Sequence, residues 1–173
     1  MSYQDDDGKS AARRVREQNI FMLAPLSYRL RDGFMAPEDA QTAEDQAFAK
    51  SHGLEPIQQE LRYSLIHYRG IEVGDGWLPL VQELSEKMER VLQEMVANSV
   101  PVELLPGIVQ VKEKFGSLSV GIRGFGDIGI PVAIKKIRDE ADVQAATTCE
   151  SCSAPGTLNA TGYQSVLCKD CRA

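Results

Sequence analysis

The sequence predicts an α+β protein in which a helical N-terminal region precedes a long amphipathic helix packed on a β-hairpin, with a small cysteine-containing module at the end. Three observations predict this class. Apolar residues recur at three- and four-residue steps from Trp77 to Met95, which is the period of a helix with one buried face. Apolar and polar residues then alternate as far as Ile122, which is the period of strands. Two Cys-x-x-Cys pairs follow near the C-terminus.

The N-terminal part is predicted to be helical behind a short tail. Residues 1–10 are mostly polar and lack large aliphatic side chains apart from Met1, so we expect them to be disordered. Residues 11–70 are expected to form the helical region, with Gly53 in the turn of a helical hairpin. Its predicted helical segments are 11–30, interrupted at Pro25, then 37–50 and 56–68.

Residues 71–146 are predicted to form an α+β core around the long helix. Asp75 is its expected N-cap, because a carboxylate there can accept hydrogen bonds from the free N–H groups of the first turn. The buried stripe is predicted to contain Trp77, Leu80, Val81, Leu84, Met88, Val91, Leu92 and Met95. The residues between them are predicted to form an acidic exposed face: Glu83, Glu86, Lys87, Glu89, Arg90 and Glu94.

A hairpin and a shorter helix complete the predicted core. Residues 114–117 supply the reversal, and Val109 and Val111 are expected to share one face of the first strand. Leu118, Val120 and Ile122 are expected to share a face of the second strand. A helix is predicted to begin at Pro131, with Val132, Ile134, Ile137 and Ala141 facing inward and Lys135, Lys136, Arg138 and Asp139 facing outward.

The cysteines indicate a metal site in residues 147–173. Fifteen residues separate the pair Cys149 and Cys152 from the pair Cys168 and Cys171. At that separation two tight turns can place four thiolates around Zn²⁺ in a Cys₄ zinc ribbon. Such a shell has no open position at which water could be activated, so we expect a structural ion that holds the C-terminus against the helix beginning at Pro131. Two disulfides are the alternative interpretation of the same cysteines.

Charge and composition favour a protein partner. The formal net charge is −6, whereas a nucleic-acid partner requires a basic surface. The N-terminal residues contain no apolar stretch typical of a signal peptide, and no apolar run is long enough to cross a membrane. Because metal-binding thiols need a reducing compartment, we expect the protein in the cytoplasm of a bacterial cell.

Two other functions remain as alternatives. A nucleic-acid-binding regulator would use the ribbon, with basic contacts at Lys112, Lys114, Lys169 and Arg172. An enzyme would depend on Asp127 in the glycine pattern from Gly124 to Gly129, or on other carboxylates that the sequence does not place in a site. That pattern matches dinucleotide-binding loops, but they need a second parallel strand about 20 residues further on, where the first cysteine pair lies here. We favour a flexible glycine loop.

Three blocks of the sequence resemble a family of small, functionally uncharacterised proteins of bacteria, prophages and tailed phages. They are Gly-Trp-Leu-Pro-Leu-Val at 76–81, Gln-Val-Lys-Glu-Lys-Phe-Gly-Ser-Leu at 110–118, and the cysteine tail with its Pro-Gly. The resemblance covers about residues 72–173, and it differs at Ser153 and Tyr163, where the family commonly has Gly and Trp. It implies a phage or mobile-element setting and no catalytic residue. We therefore expect a non-catalytic zinc-containing binding protein that acts as an inhibitor, adaptor or regulator of a host or phage protein.

Overall fold

A computed structural model describes residues 9–32, 68–125, 128–159, 162 and 164–172. These residues form helices and a small mixed sheet, so the predicted α+β class is confirmed. The helices are α1 (Ala11–Leu23), α2 (Leu78–Ala97) and α3 (Val132–Ala145). The strands are β1 (Ile71–Glu72), β2 (Gly107–Lys114), β3 (Ser117–Arg123), β4 (Thr157–Asn159) and β5 (Ser165–Leu167). The predictions for 37–50, for 56–67, for Gly53 and Asp127, and for nearly all of the N-terminal tail lie outside the described residues.

Strand β2 lies at the centre of a three-stranded sheet. It pairs in parallel with β1 and antiparallel with β3. The predicted reversal is a two-residue turn in which Phe115 and Gly116 have φ of 54° and 83°. Positive φ at both positions is the signature of a type I′ turn, whose twist matches that of the strands it joins. The hairpin prediction is therefore confirmed.

One residue pattern in the hairpin differs from the prediction. Leu118 and Val120 are buried together, as expected. Val109 and Val111, however, do not pack in the same cluster. A register shift between Ile108 and Gln110 places Val109 in the small cluster of Leu30 and Phe125, whereas Val111 joins the main core. A bulge adds one residue to a strand, so it alters the simple alternation of faces.

Helix α2 is the central element of the main core. Most of its predicted stripe is buried, with Leu80, Val91 and Met95 half-buried at the edges and Leu78 as an additional core residue. Asp75 is not the N-cap. It lies in a short 3₁₀ helix, Asp75–Trp77, that leads into α2, and its carboxylate forms an ion pair with Arg13 of α1 at 2.9 Å.

Helix α3 was predicted with one residue on the wrong face. Ile134 and Ala141 are buried against the sheet and α2, whereas Val132 is 79% exposed. The helical period explains this, because Val132 and Ile134 are about 200° apart around the axis and cannot face the same side. None of the helices in the described part of the chain combines the length and apolarity needed to span a bilayer.

The break at Pro25 is confirmed, and a buried carboxylate holds the turn that follows α1. Glu89 of α2 was predicted on the outer face but is only 3% exposed. Its Oε1 accepts a hydrogen bond from Leu26 N at 3.2 Å, and its Oε2 accepts bonds from Ser27 N at 2.9 Å and Ser27 Oγ at 3.0 Å. One turn earlier in α2, Ser85 Oγ hydrogen-bonds with Tyr28 Oη at 2.9 Å. Two buried polar residues of α2 therefore fix residues 26–28.

Replacing Glu89 is expected to destabilise the protein strongly. In Glu89→Leu the three donors at Leu26 and Ser27 remain buried without an acceptor, which should cost about 3 kcal/mol of unfolding free energy. Glu89→Gln keeps one acceptor oxygen and should cost less. Urea unfolding followed by circular dichroism measures both. The control Glu94→Leu changes an exposed residue of the same helix and should shift stability by less than about 0.5 kcal/mol; equal stability of the two leucine variants would contradict the assignment.

Candidate metal centre

Four thiols meet where the two cysteine turns face each other. The first turn follows α3, and the second follows β5, which pairs antiparallel with β4. The Sγ atoms of Cys149, Cys152, Cys168 and Cys171 all lie within 4.8 Å of one another, and Cys152 Sγ is 3.6 Å from Cys168 Sγ. Zn–S bonds of about 2.3 Å imply tetrahedral S–S separations of about 3.8 Å. The four cysteines could therefore hold a metal ion.

Backbone hydrogen bonds shape the first cysteine turn. Cys149 O accepts from Ser153 N at 2.9 Å, and Cys149 N donates to Ala154 O at 2.7 Å. Ser153 has φ of 65°, a conformation that glycine adopts more easily. Glu150 N donates to Val166 O at 2.8 Å, which joins the first turn to β5.

The ionisation of the thiols is uneven. Burial disfavours the Cys149 thiolate, but backbone N–H groups of Cys168, Cys152 and Ser151 more than offset this and lower its pKa to about 6. The hydrogen bond with the Cys168 side chain, together with that to Cys152, raises the pKa of Cys171 to about 12. The Cys149 thiolate therefore forms readily, whereas the Cys171 thiol retains its proton. A bound cation would supply the positive charge that four adjacent thiolates require.

The first cysteine turn docks on the segment that begins the long helix. Gly76 N donates to Glu150 O at 2.7 Å, and Ser153 Oγ donates to Gly76 O at 2.7 Å. The Trp77 indole donates to Thr148 O at 2.7 Å. These bonds run to the start of α2. The first cysteine turn, which follows α3, thus joins the end of α3 to the start of α2.

Two glycines permit this close backbone approach. A Cβ at Gly76 would lie 2.3 Å from Cys149 O and 2.6 Å from Cys152 N, and a Cβ at Gly74 would lie 2.4 Å from Glu150 O. Gly74 N also donates to Glu150 Oε1 at 2.8 Å. Sequence reasoning missed both residues as part of the site. The Gly-x-Gly spacing before Trp77 was the available signal, but nothing local indicated what backbone it would face.

The ribbon strands also contact the hairpin turn. A Cβ at Gly116 would lie 2.3 Å from Leu158 Cδ1, so the turn between β2 and β3 touches β4. Val166 of β5 is 1% exposed and belongs to the main core. The ribbon is therefore packed into the α+β core at two places, the start of α2 and the tip of the hairpin.

The structure describes several of the residues on which the two alternative functions would depend. Arg172 donates through its guanidinium to Thr157 O at 2.7 Å, so it is hydrogen-bonded within the ribbon. Lys112 is half-buried opposite Glu72 of β1. In the glycine pattern, Phe125 is buried and bridges to Gly129 in antiparallel fashion. The strand before this pattern is β3, whose partner is antiparallel, so the described residues lack the parallel unit of a dinucleotide site.

Comparison with known proteins gives no relative. The chain matches no protein-family model, no curated protein and no solved structure.

Gly76→Ala is expected to disrupt the docking of the first cysteine turn. The added methyl group would overlap backbone atoms of Cys149 and Cys152, so one of the two segments must shift, at a cost of about 3 kcal/mol in unfolding free energy. Urea unfolding of the metal-loaded protein measures this loss. Gly70→Ala is the control, because a Cβ there meets nothing within 4 Å and the cost comes only from its φ of 97°. An equal or smaller loss in Gly76→Ala than in Gly70→Ala would contradict the assignment.

Proposed function

We propose that the protein is a non-catalytic zinc-containing binding protein that acts through a protein–protein contact. In this proposal the ion is Zn²⁺, because four thiolates in a tetrahedral cluster are a donor set typical of structural zinc. Cys149, Cys152, Cys168 and Cys171 occupy all four positions, which leaves no position for a substrate or a reactive water. When bound, the ion supplies a fixed link between two chain segments.

The observation that carries the proposed contact is an apolar patch at the hairpin tip, formed by Phe115, Gly116 and Leu158. Phe115 is 69% exposed and Leu158 is 50% exposed. The two-residue turn fixes the Phe115 backbone at positive φ, and Leu158 packs on Gly116. A rigid, exposed aromatic side chain loses little entropy on binding and fits an apolar pocket in a partner protein.

The partner is proposed to be a host or phage protein that this chain inhibits, recruits or regulates in the cytoplasm. The family resemblance supports the phage or mobile-element setting, and the formal charge of −6 favours a protein over a nucleic acid. The alternative of a nucleic-acid-binding regulator has less support, because Lys112 is half-buried opposite Glu72 and Arg172, although exposed, is hydrogen-bonded to Thr157 O.

The zinc assignment predicts one equivalent of tightly bound zinc in protein purified without chelator. Cys168→Ser should lose most of this zinc, because serine replaces a thiolate ligand with a hydroxyl that stays protonated. Elemental analysis by mass spectrometry measures the zinc content. Ser117→Ala, an exposed change outside the cysteine cluster, should keep the full equivalent. A full equivalent in Cys168→Ser would exclude the Cys₄ assignment.

The binding assignment predicts a partner whose capture depends on Phe115. Immobilised wild-type protein should retain a specific protein from a bacterial lysate, and Phe115→Ser should reduce its recovery at least tenfold, the loss expected when a central aromatic anchor is removed. Quantitative mass spectrometry of the eluates measures recovery, with zinc content checked for each variant. Met22→Ser is the control, since Met22 is 70% exposed on α1. The patch is not the binding site if no retained protein distinguishes Phe115→Ser from this control.

A further inference from the structure

The outward face of α3 carries apolar residues that a solvated helix does not require. Val132 is 79% exposed and Val143 is 71% exposed. They lie eleven positions apart, which is close to three helical turns, so both fall on one side of the helix. The opposite side of α3 is the buried one, with Ile134, Ala141 and Ala145 in the core. The valines therefore mark a face directed away from this chain's own core.

A shallow groove follows this outward face. It has a volume of about 690 Å³ and is lined by Val132, Lys135, Lys136, Asp139, Glu140, Val143 and Gln144. Lys136 pairs with Glu140 at 3.8 Å, and their side chains are 77% and 47% exposed. Such an exposed pair contributes little to the helix itself. Asp139 pairs with Arg138 at 3.0 Å, and this pair is also exposed. Both pairs can therefore exchange partners when another molecule binds.

The valines and the charged residues of this face lie at equal distances on either side of the midpoint between Ile137 and Arg138, and the charges on the two sides are opposite. One valine lies near each end, two lysines lie before the midpoint, and two acids lie after it. When two copies of the helix run antiparallel with their midpoints aligned, Val132 of each copy meets Val143 of the other. Lys135 and Lys136 of each copy then lie opposite Asp139 and Glu140 of the other. This is the self-complementarity that a two-fold interface requires.

We propose that α3 is a dimerisation surface that pairs antiparallel with α3 of a second copy of this chain. The order of charges favours a second copy in the antiparallel orientation, because a parallel pair would place lysines against lysines and acids against acids. Helix α3 has 14 residues and is about 21 Å long. A single pair of such helices buries less area than a standard interface, so we expect a weak dimer that depends on concentration. The proposal is independent of the partner contact at Phe115.

Sedimentation equilibrium of the full zinc-loaded chain tests the proposal over concentrations from about 10 to about 500 µM, the range of weak interfaces. The apparent mass should rise from 19.0 kDa toward twice that value. Val143→Glu should weaken association at least tenfold by placing a charge in the apolar contact. Val15→Glu is the matched control, since Val15 is 61% exposed on α1. It should associate like the wild type.

Charge-reversal variants show whether a loss of association comes from the interface or from a loss of folding. The variant Lys135→Glu/Lys136→Glu and the variant Asp139→Lys/Glu140→Lys should each be monomeric, because each presents like charges to its own copy. An equimolar mixture of the two should form a heterodimer. The proposal is overturned if the wild type stays monomeric throughout, if the reversed variants associate like the wild type, or if their mixture stays monomeric.

Isotope-mixed cross-linking identifies the occupant of the groove. A zero-length reagent applied to mixed ¹⁴N and ¹⁵N protein should join Lys135 or Lys136 to Asp139 or Glu140 in products that contain one light and one heavy peptide. Products that join these lysines to acids of residues 33–67 within the same chain would show instead that this segment covers the face, and would overturn the proposal.

Discussion

The contact on which the rest of the structure depends is the one between the first cysteine turn and the segment before α2. Backbone groups of Gly76 and Glu150 hydrogen-bond directly, and Trp77 and Ser153 add side-chain bonds in opposite directions. Glycine is required there because any side chain would overlap the opposing backbone. A metal ion that orders the cysteine turn would therefore also order the start of the central helix. In this way a bound ion would link the stability of the core to the cysteine cluster.

Buried and partly buried polar groups fix the position of helix α1. Glu89 accepts three hydrogen bonds from Leu26 and Ser27, so the turn after α1 has one position relative to α2. At the opposite end of α1, Arg13 pairs with Glu17 at 2.8 Å and donates to Ile71 O at 3.2 Å. Such bonds are directional, whereas apolar packing tolerates small shifts. Helix α1 is thus held in register at both ends, next to the strand and the segment that contact the ribbon.

In the described part of the chain, two of the exposed apolar surfaces lie on different elements. One consists of Phe115 in the hairpin turn and Leu158 in the ribbon strand β4, and the other consists of Val132 and Val143 on the side of α3 facing away from the core. Each surface can therefore be altered without disturbing the buried contacts of the other.

The sequence by itself determined the elements whose signal is local. Helix α2 follows from a 3.6-residue period, the hairpin follows from alternation around a Phe-Gly turn, and the metal donors follow from cysteine spacing. Only the tertiary structure decided the inward position of Glu89, the bulge at Val109 and the docking of Gly76 on Cys149. Those features depend on partners distant in the chain, such as Leu26, which lies 63 residues before Glu89. A charged residue on a helix is normally solvated, and only the presence of buried donors opposite it reverses that preference.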